Sequence, residues 1–109
     1  MSSIDFEHID LDALRAEADG KYKNLVVQGV VFRGPMRLSK DERAEFVRLL
    51  SERREGEVSD VTEFYRGILT LVAEDKDAAT GLLNQVGDDA AVLDTLVSLY
   101  FERTQAGEA

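Results

Sequence analysis

The sequence contains no cysteine, a single histidine and no long apolar run. Without cysteine there is no disulfide, no thiolate nucleophile and no zinc site of the cysteine type, which fits a reducing compartment. No stretch approaches the roughly 18 apolar residues that a membrane span needs. The segment from Met1 to Glu7 also lacks the basic and apolar regions of a secretory signal. We therefore expect a cytoplasmic protein.

Side chains suited to catalysis are scarce. General acid and base catalysis usually recruits histidine, and the only one, His8, lies on a polar segment. Four acids surround it: Asp5, Glu7, Asp10 and Asp12. We expect the segment that holds these acids to be unstructured, so their carboxylate oxygens have no fixed metal-binding geometry. We therefore interpret the segment as a solvated acidic arm. The glycines are scattered singly with no Gly-Lys-Ser or Gly-Lys-Thr step, so no phosphate loop is indicated. We expect that the protein is not an enzyme and that it has no cofactor, metal or nucleotide site.

What the sequence does have is an acidic surface and enough apolar residues for one core. Its 109 residues are 44% hydrophobic and 32% charged, which suits one domain better than two. The 22 acids and 13 bases give a net charge of −9, and residues 57–109 hold 11 of the acids but only 3 of the bases. This charge repels phosphate backbones and anionic lipid, so nucleic acid and membranes are poor candidate partners.

The first predicted element is a short helix. Asp10 can cap it and Gly20 can end it. Its narrow apolar face consists of Leu11, Leu14 and Ala18.

A β-hairpin is predicted next, at about residues 22–33. Its residues are mostly β-branched or aromatic and are interrupted only by Gln28-Gly29, where the glycine supplies a positive φ for the turn. Gly34-Pro35 ends the second strand because proline has no amide donor. Two strands are marginal alone, so the hairpin must pack on helices or on another chain.

The sequence from Ser39 to Glu42 fits a capping box, in which each of these two side chains accepts from an unpaired backbone amide of the other. It predicts a helix over 40–54. The apolar face of this helix consists of Phe46, Val47 and Leu50. Its arginines alternate with glutamates at helical spacing, which favours ion pairs on a solvated face over a phosphate-binding patch. These arginines are Arg48, Arg53 and Arg54.

Three more helices are predicted. The residues that can cap them are Ser59 or Asp60, then Asp75 or Asp77, then Asp88 and Asp89. The first has the strongest apolar stripe: Val61, Phe64, Tyr65, Ile68, Leu71 and Val72. The second carries Ala78, Ala79, Leu82, Leu83 and Val86 and stops at Gly87. The last runs to about Arg103, with a main stripe of Leu93, Leu96, Val97 and Tyr100.

Short connections favour antiparallel neighbours, so we expect a mainly α fold. It is a compact bundle of about four to five helices with an N-terminal β-hairpin, in a single domain over 1–103 with its helical region at about 39–103. Residues 104–109 are expected to be a disordered tail. Gly67 and Gly81 interrupt predicted helices, and each could mark a close helix crossing, a flexible point or ordinary packing.

Three segments, taken in order, carry a resemblance to a known family. They are Ile9 to Glu17, Lys21-Tyr22 with the valine-rich hairpin, and Pro35 to Arg43. This order resembles the tail assembly chaperones of long-tailed bacteriophages that infect actinobacteria. Those proteins have an acidic leucine-containing helix, a tyrosine, a short β segment and a proline-arginine-leucine step into a lysine- and acid-rich helix. The resemblance covers about residues 9–50, and the remainder agrees only in being acidic and helical.

The resemblance implies a non-enzymatic chaperone that binds the tape measure protein, a long, largely helical and hydrophobic polypeptide. Such a chaperone keeps its client soluble and promotes assembly of the tail tube protein around it. It acts in the host bacterial cytoplasm and is not retained in the mature virion. This chain would be the short form, beside a longer form of itself made by a programmed frameshift. The alternatives are a structural head-tail connector and a small regulatory domain that binds another protein, such as an antitoxin.

An apolar client would be held by apolar surface, and five residues are candidates for it. They are Val92 and Leu99, and whatever part of Phe64, Ile68 and Leu71 the core does not use. An open hairpin edge could also pair with a second copy or with a client segment. The acidic balance would keep a loaded complex dispersed. The alternative interpretation is that these apolar residues fill the core of the domain itself.

Overall fold

Residues 10–54 and 60–104 are described by the structure, a computed structural model. Their elements, in chain order, are α1 Leu11–Lys21, β1 Leu25–Val27, β2 Val30–Phe32, a short 3-10 helix Pro35–Arg37, α2 Lys40–Arg54, α3 Val61–Val72, α4 Lys76–Val86 and α5 Ala90–Thr104. The prediction of a mainly α fold with an N-terminal hairpin is confirmed. The predicted acidic arm around His8 lies outside the described residues.

Side-chain caps begin the helices where the sequence placed them. Asp10 accepts from the amide of Ala13 at 2.8 Å. In the capping box, the Ser39 amide donates to Glu42 at 3.0 Å and the Glu42 amide donates to the Ser39 hydroxyl at 3.2 Å. The caps of α3, α4 and α5 are Asp60, Asp75 and Asp89. Gly20 does not end α1, because the helical hydrogen bonds continue to the amide of Tyr22.

The hairpin pairs Leu25 with Phe32 and turns at Gln28 and Gly29, whose φ angles are 50° and 80°. Positive φ at both positions matches the right-handed twist of a tight two-residue turn. The edge of β2 that does not pair with β1 is covered by the residues at the end of α3. The Arg33 amide donates to the Val72 carbonyl and the Glu74 amide donates to the Val31 carbonyl, both at 2.9 Å. The predicted pairing of a hairpin edge with a second copy would therefore have only the three residues of β1 to use.

Helix α3 is central, and it packs against α2, α4 and α5. The largest fully buried apolar side chains are Tyr100, Phe32, Ile68, Leu69, Leu93 and Val72. On α2 the predicted apolar face is wrong at Val47, which is 57% exposed. The buried face instead follows Phe46, Leu49 and Leu50, at the i, i+3, i+4 spacing that one side of a helix requires.

The end of α5 departs from the prediction of a tail starting at 104. Thr104 is the last residue of α5 and is only 1% exposed, and its hydroxyl donates to the Tyr100 carbonyl at 2.6 Å. It packs on Gly34, where an added Cβ would lie 3.2 Å from the Thr104 Cβ and 3.1 Å from the Lys23 carbonyl oxygen. Thr104 thus belongs to the folded domain, and residues 105–109 lie outside the described part.

Candidate protein-binding surface

The five predicted contact residues lie in different environments. Phe64 is 7% exposed and Ile68 is fully buried, so these two side chains fill the core and give a partner no surface. Leu71 and Leu99 are half-buried against the core. Val92 is 42% exposed on α5. The fold therefore does not gather the five into one patch.

A shallow, open groove of about 580 Å³ lies along the outer face of α3, beside α2 and Lys76, the first residue of α4. It is lined by Glu45, Leu49, Glu63, Arg66, Gly67, Thr70, Leu71 and Lys76. Most of the exposed lining is carbon, although four of these side chains carry charge. We name this feature the α3 groove. Of the five predicted contact residues, only Leu71 lines it.

The spacing of residues on α3 produces the floor of this groove. Glu63, Gly67 and Leu71 follow one another at four-residue steps and so share one side of the helix, while Phe64, Ile68 and Val72 turn to the core. Gly67 contributes no side chain to this floor, and a Cβ added there would meet nothing within 4 Å. Gly67 therefore marks open space rather than the close helix crossing that its sequence position allowed.

Both cations of the groove are tied to carbonyl groups at helix ends. Arg66 donates to the carbonyls of Leu83 and Gly87 at the end of α4. Lys76 donates to the Leu71 carbonyl at 2.7 Å and to the Ala73 carbonyl at 3.0 Å. Desolvation by burial lowers the pKa of Lys76, and the nearby Arg33 lowers it further. These cations offset the negative ends of α3 and α4.

A second apolar surface lies on α1. None of its residues is buried, and Leu11 and Leu14 are 58% and 49% exposed. Its C-terminal end is held by the pair of Arg37 with Asp19 at 2.5 Å and by a 3.4 Å hydrogen bond from Arg37 to the Tyr22 carbonyl. The predicted narrow apolar face of α1 thus exists, but within the described residues it packs on little.

Sequence reasoning missed a network around Arg33. Its guanidinium makes two hydrogen bonds to Glu42, at 2.8 and 3.1 Å, and also donates to the carbonyls of Val72 and Ala73 at 3.0 and 3.1 Å. The Tyr100 hydroxyl donates to the Arg33 carbonyl at 2.7 Å. These hydrogen bonds join the hairpin to the start of α2, the end of α3 and α5, so the network stabilises the fold.

Other features of the described residues add no further site. A polar hollow of about 410 Å³ beside the hairpin is lined by Asp19, Tyr22, Lys23, Asn24, Arg33, Arg37 and Glu74. Two of its cations, Arg33 and Arg37, are already paired with carboxylates. Across 10–54 and 60–104, no helix has the length and apolar content to cross a bilayer, and no three metal-binding side chains converge.

Comparison of the chain with models of protein families, with curated proteins and with solved structures finds no match.

Proposed function

We propose that this protein is a non-enzymatic tail assembly chaperone of a long-tailed phage. In this role it binds the tape measure protein in the host cytoplasm, keeps it soluble and promotes assembly of the tail tube protein around it, and it is absent from the finished particle. The proposal draws its family from the resemblance of residues 9–50. The observation that carries it is the α3 groove, whose exposed lining is mostly apolar.

Apolar grooves between helices commonly receive the apolar face of a partner helix. A tape measure protein, being long, helical and hydrophobic, offers many such faces. The exposed leucines of α1 supply a second apolar contact on the same chain. Two modest contacts on one long client strengthen each other, because the second forms at a high effective concentration once the first is made.

The net charge of −9 supports the second part of the proposed role, which is to keep the complex with the client soluble. A chaperone that only covers apolar surface must still keep the loaded complex dispersed. Like charges on neighbouring complexes repel each other, which discourages association between them.

Coexpression tests the proposal. The long helical protein encoded just downstream should be insoluble when expressed alone, and soluble and copurified when this chain is expressed with it. Mass spectrometry of purified particles should then find no stoichiometric amount of this chain. A client that stays insoluble would refute the chaperone role, and stoichiometric presence in particles would favour the head-tail connector instead.

A further inference from the structure

Helix α1 is tied to the rest of the molecule more weakly than the other helices are. None of its side chains is buried, and within the described residues it packs closely on no other element, whereas α3 packs on α2, α4 and α5. Helices shorter than about 12–15 residues are also marginal on their own in water, and α1 has 11. A segment with so few buried contacts opens at a far lower free energy than the whole domain needs to unfold.

One residue of the domain, Arg37, holds the C-terminal end of α1 through two contacts. Its Nη2 lies 2.5 Å from the Asp19 Oδ1, and its Nε donates to the Tyr22 carbonyl at 3.4 Å. The Asp19 side chain is 72% exposed, so water and salt screen the ion pair. A pair of this kind changes an equilibrium constant by about two- to fivefold.

The chain between α1 and the hairpin has a place where this helix can turn. At Tyr22 the backbone is extended, with a φ of −117° and a ψ of 93°. Two residues later the chain is fixed to the domain, because the Asn24 side chain accepts a hydrogen bond from the Gly34 amide at 3.2 Å and Leu25 begins β1. Rotation about the backbone bonds of Tyr22 and Lys23 would therefore move α1 and leave the hairpin paired.

We propose that α1 is a helical arm that opens and closes independently of the domain, with Tyr22 and Lys23 as its hinge and the ion pair of Arg37 with Asp19 as its latch. Opening takes Asp19 out of the polar hollow beside the hairpin and leaves the Arg37 guanidinium without that carboxylate. Because salt weakens an exposed ion pair, ionic strength shifts the arm between its two states. This inference concerns the chain alone and does not rest on the proposed function.

Amide hydrogen exchange of the full chain, followed residue by residue by NMR, measures the opening. The reporters in α1 are the amides of Leu14 and Tyr22, which donate to the carbonyls of Asp10 and Ala18. The reporter for the domain is the amide of Ala73, a fully buried residue. Relative to an unfolded chain, the two amides of α1 should be protected about a hundredfold less, or weaker still, than the amide of Ala73.

Substitutions on both sides of the ion pair test the latch. Arg37→Gln should lower the protection of the Tyr22 amide by about two- to fivefold at low salt and leave that of Ala73 unchanged. Raising the salt concentration should lower the protection of Tyr22 in wild type and have a smaller effect in Arg37→Gln. Glu17→Gln is the matched control, because Glu17 is an acid of the same helix and no described ion pair joins it to Arg37.

Asp19→Asn separates the latch from the stability of the helix itself. An acid near the C-terminal end of a helix opposes the macrodipole, so its removal alone should raise the protection of α1. In the Arg37→Gln background Asp19→Asn should do this. In wild type it should raise the protection by about two- to fivefold less, or lower it, because the latch is lost as well.

Two results would overturn the proposal. If the amides of Leu14 and Tyr22 are protected as strongly as that of Ala73, α1 opens only when the whole domain unfolds and is not an arm. If they are weakly protected but Asp19→Asn has the same effect with and without Arg37, the ion pair is not the latch.

Discussion

Replacing Glu42 by glutamine removes the charge from the network that joins the hairpin to α2 and α3. The carboxylate accepts two hydrogen bonds from Arg33 and one, at 3.0 Å, from the Ser39 amide. The hydrogen bond from Arg33, followed by that from Ser39, lowers the pKa of Glu42 from its ordinary value of 4.5 to about 2. The variant keeps the shape of the side chain and loses the ion pair.

The size of the effect follows from this pKa. A pKa lower by one corresponds to about 1.4 kcal/mol of preference for the charged form, so the lowering from 4.5 to about 2 sets an upper limit of about 3.5 kcal/mol. The Glu42 side chain is 25% exposed, so solvent screens part of this interaction. We expect Glu42→Gln to lower the free energy of unfolding at pH 7 by about 1–2 kcal/mol.

The pH dependence has a definite sign. Because the pKa is lower in the folded state, the stabilisation is fully present above the unfolded value of 4.5 and is lost as the pH falls from there toward 2. Urea unfolding of wild type and Glu42→Gln across this range measures the difference, which should be largest at pH 7 and close to zero near pH 2. Glu45→Gln is the control, because Glu45 pairs with Arg48 on the exposed face of the same helix and should have no resolvable effect. Parallel curves for wild type and Glu42→Gln would refute the reasoning.

Two further substitutions test the contacts between α5 and the segment that follows β2. Gly34→Ala should lower the free energy of unfolding in urea by about 1–3 kcal/mol, because the new Cβ would crowd Thr104 and the Lys23 carbonyl, while Gly20→Ala should not destabilise because its surroundings are open. Tyr100→Phe should lower it by about 1–2 kcal/mol, because the Arg33 carbonyl loses its 2.7 Å hydrogen bond from a fully buried residue. An unchanged unfolding midpoint in Tyr100→Phe would mean that this hydrogen bond adds no net stability.

Features that depend on a few consecutive residues were predicted well from the sequence. The capping box at Ser39 and Glu42 and the turn at Gln28-Gly29 are of this kind, because hydrogen bonds and φ preferences within four residues decide them. The sequence also predicted the bounds of α2 and the stop at Gly87, whose φ is 69°.

Features that depend on distant partners were missed. Arg33 forms hydrogen bonds with Glu42 and with the end of α3. Thr104 is buried because the end of α5 packs against Gly34. No local pattern carries these pairings. Val47 shows the same limit, since several apolar residues on α2 could have faced inward and only packing against α3 and α5 decides which do.

Gly67 and Gly81 look alike in the sequence but lie in different surroundings in the fold. Both interrupt a helix at the same energetic cost, so the sequence gives them equal weight. In the fold Gly81 lies on an exposed part of α4, where its replacement would only stabilise the chain. Gly67 lies where the apolar floor of the groove would otherwise be raised. Only the folded surroundings distinguish the two glycines, because the residues that line the groove beside Gly67 come from α2 and α4 as well as from α3.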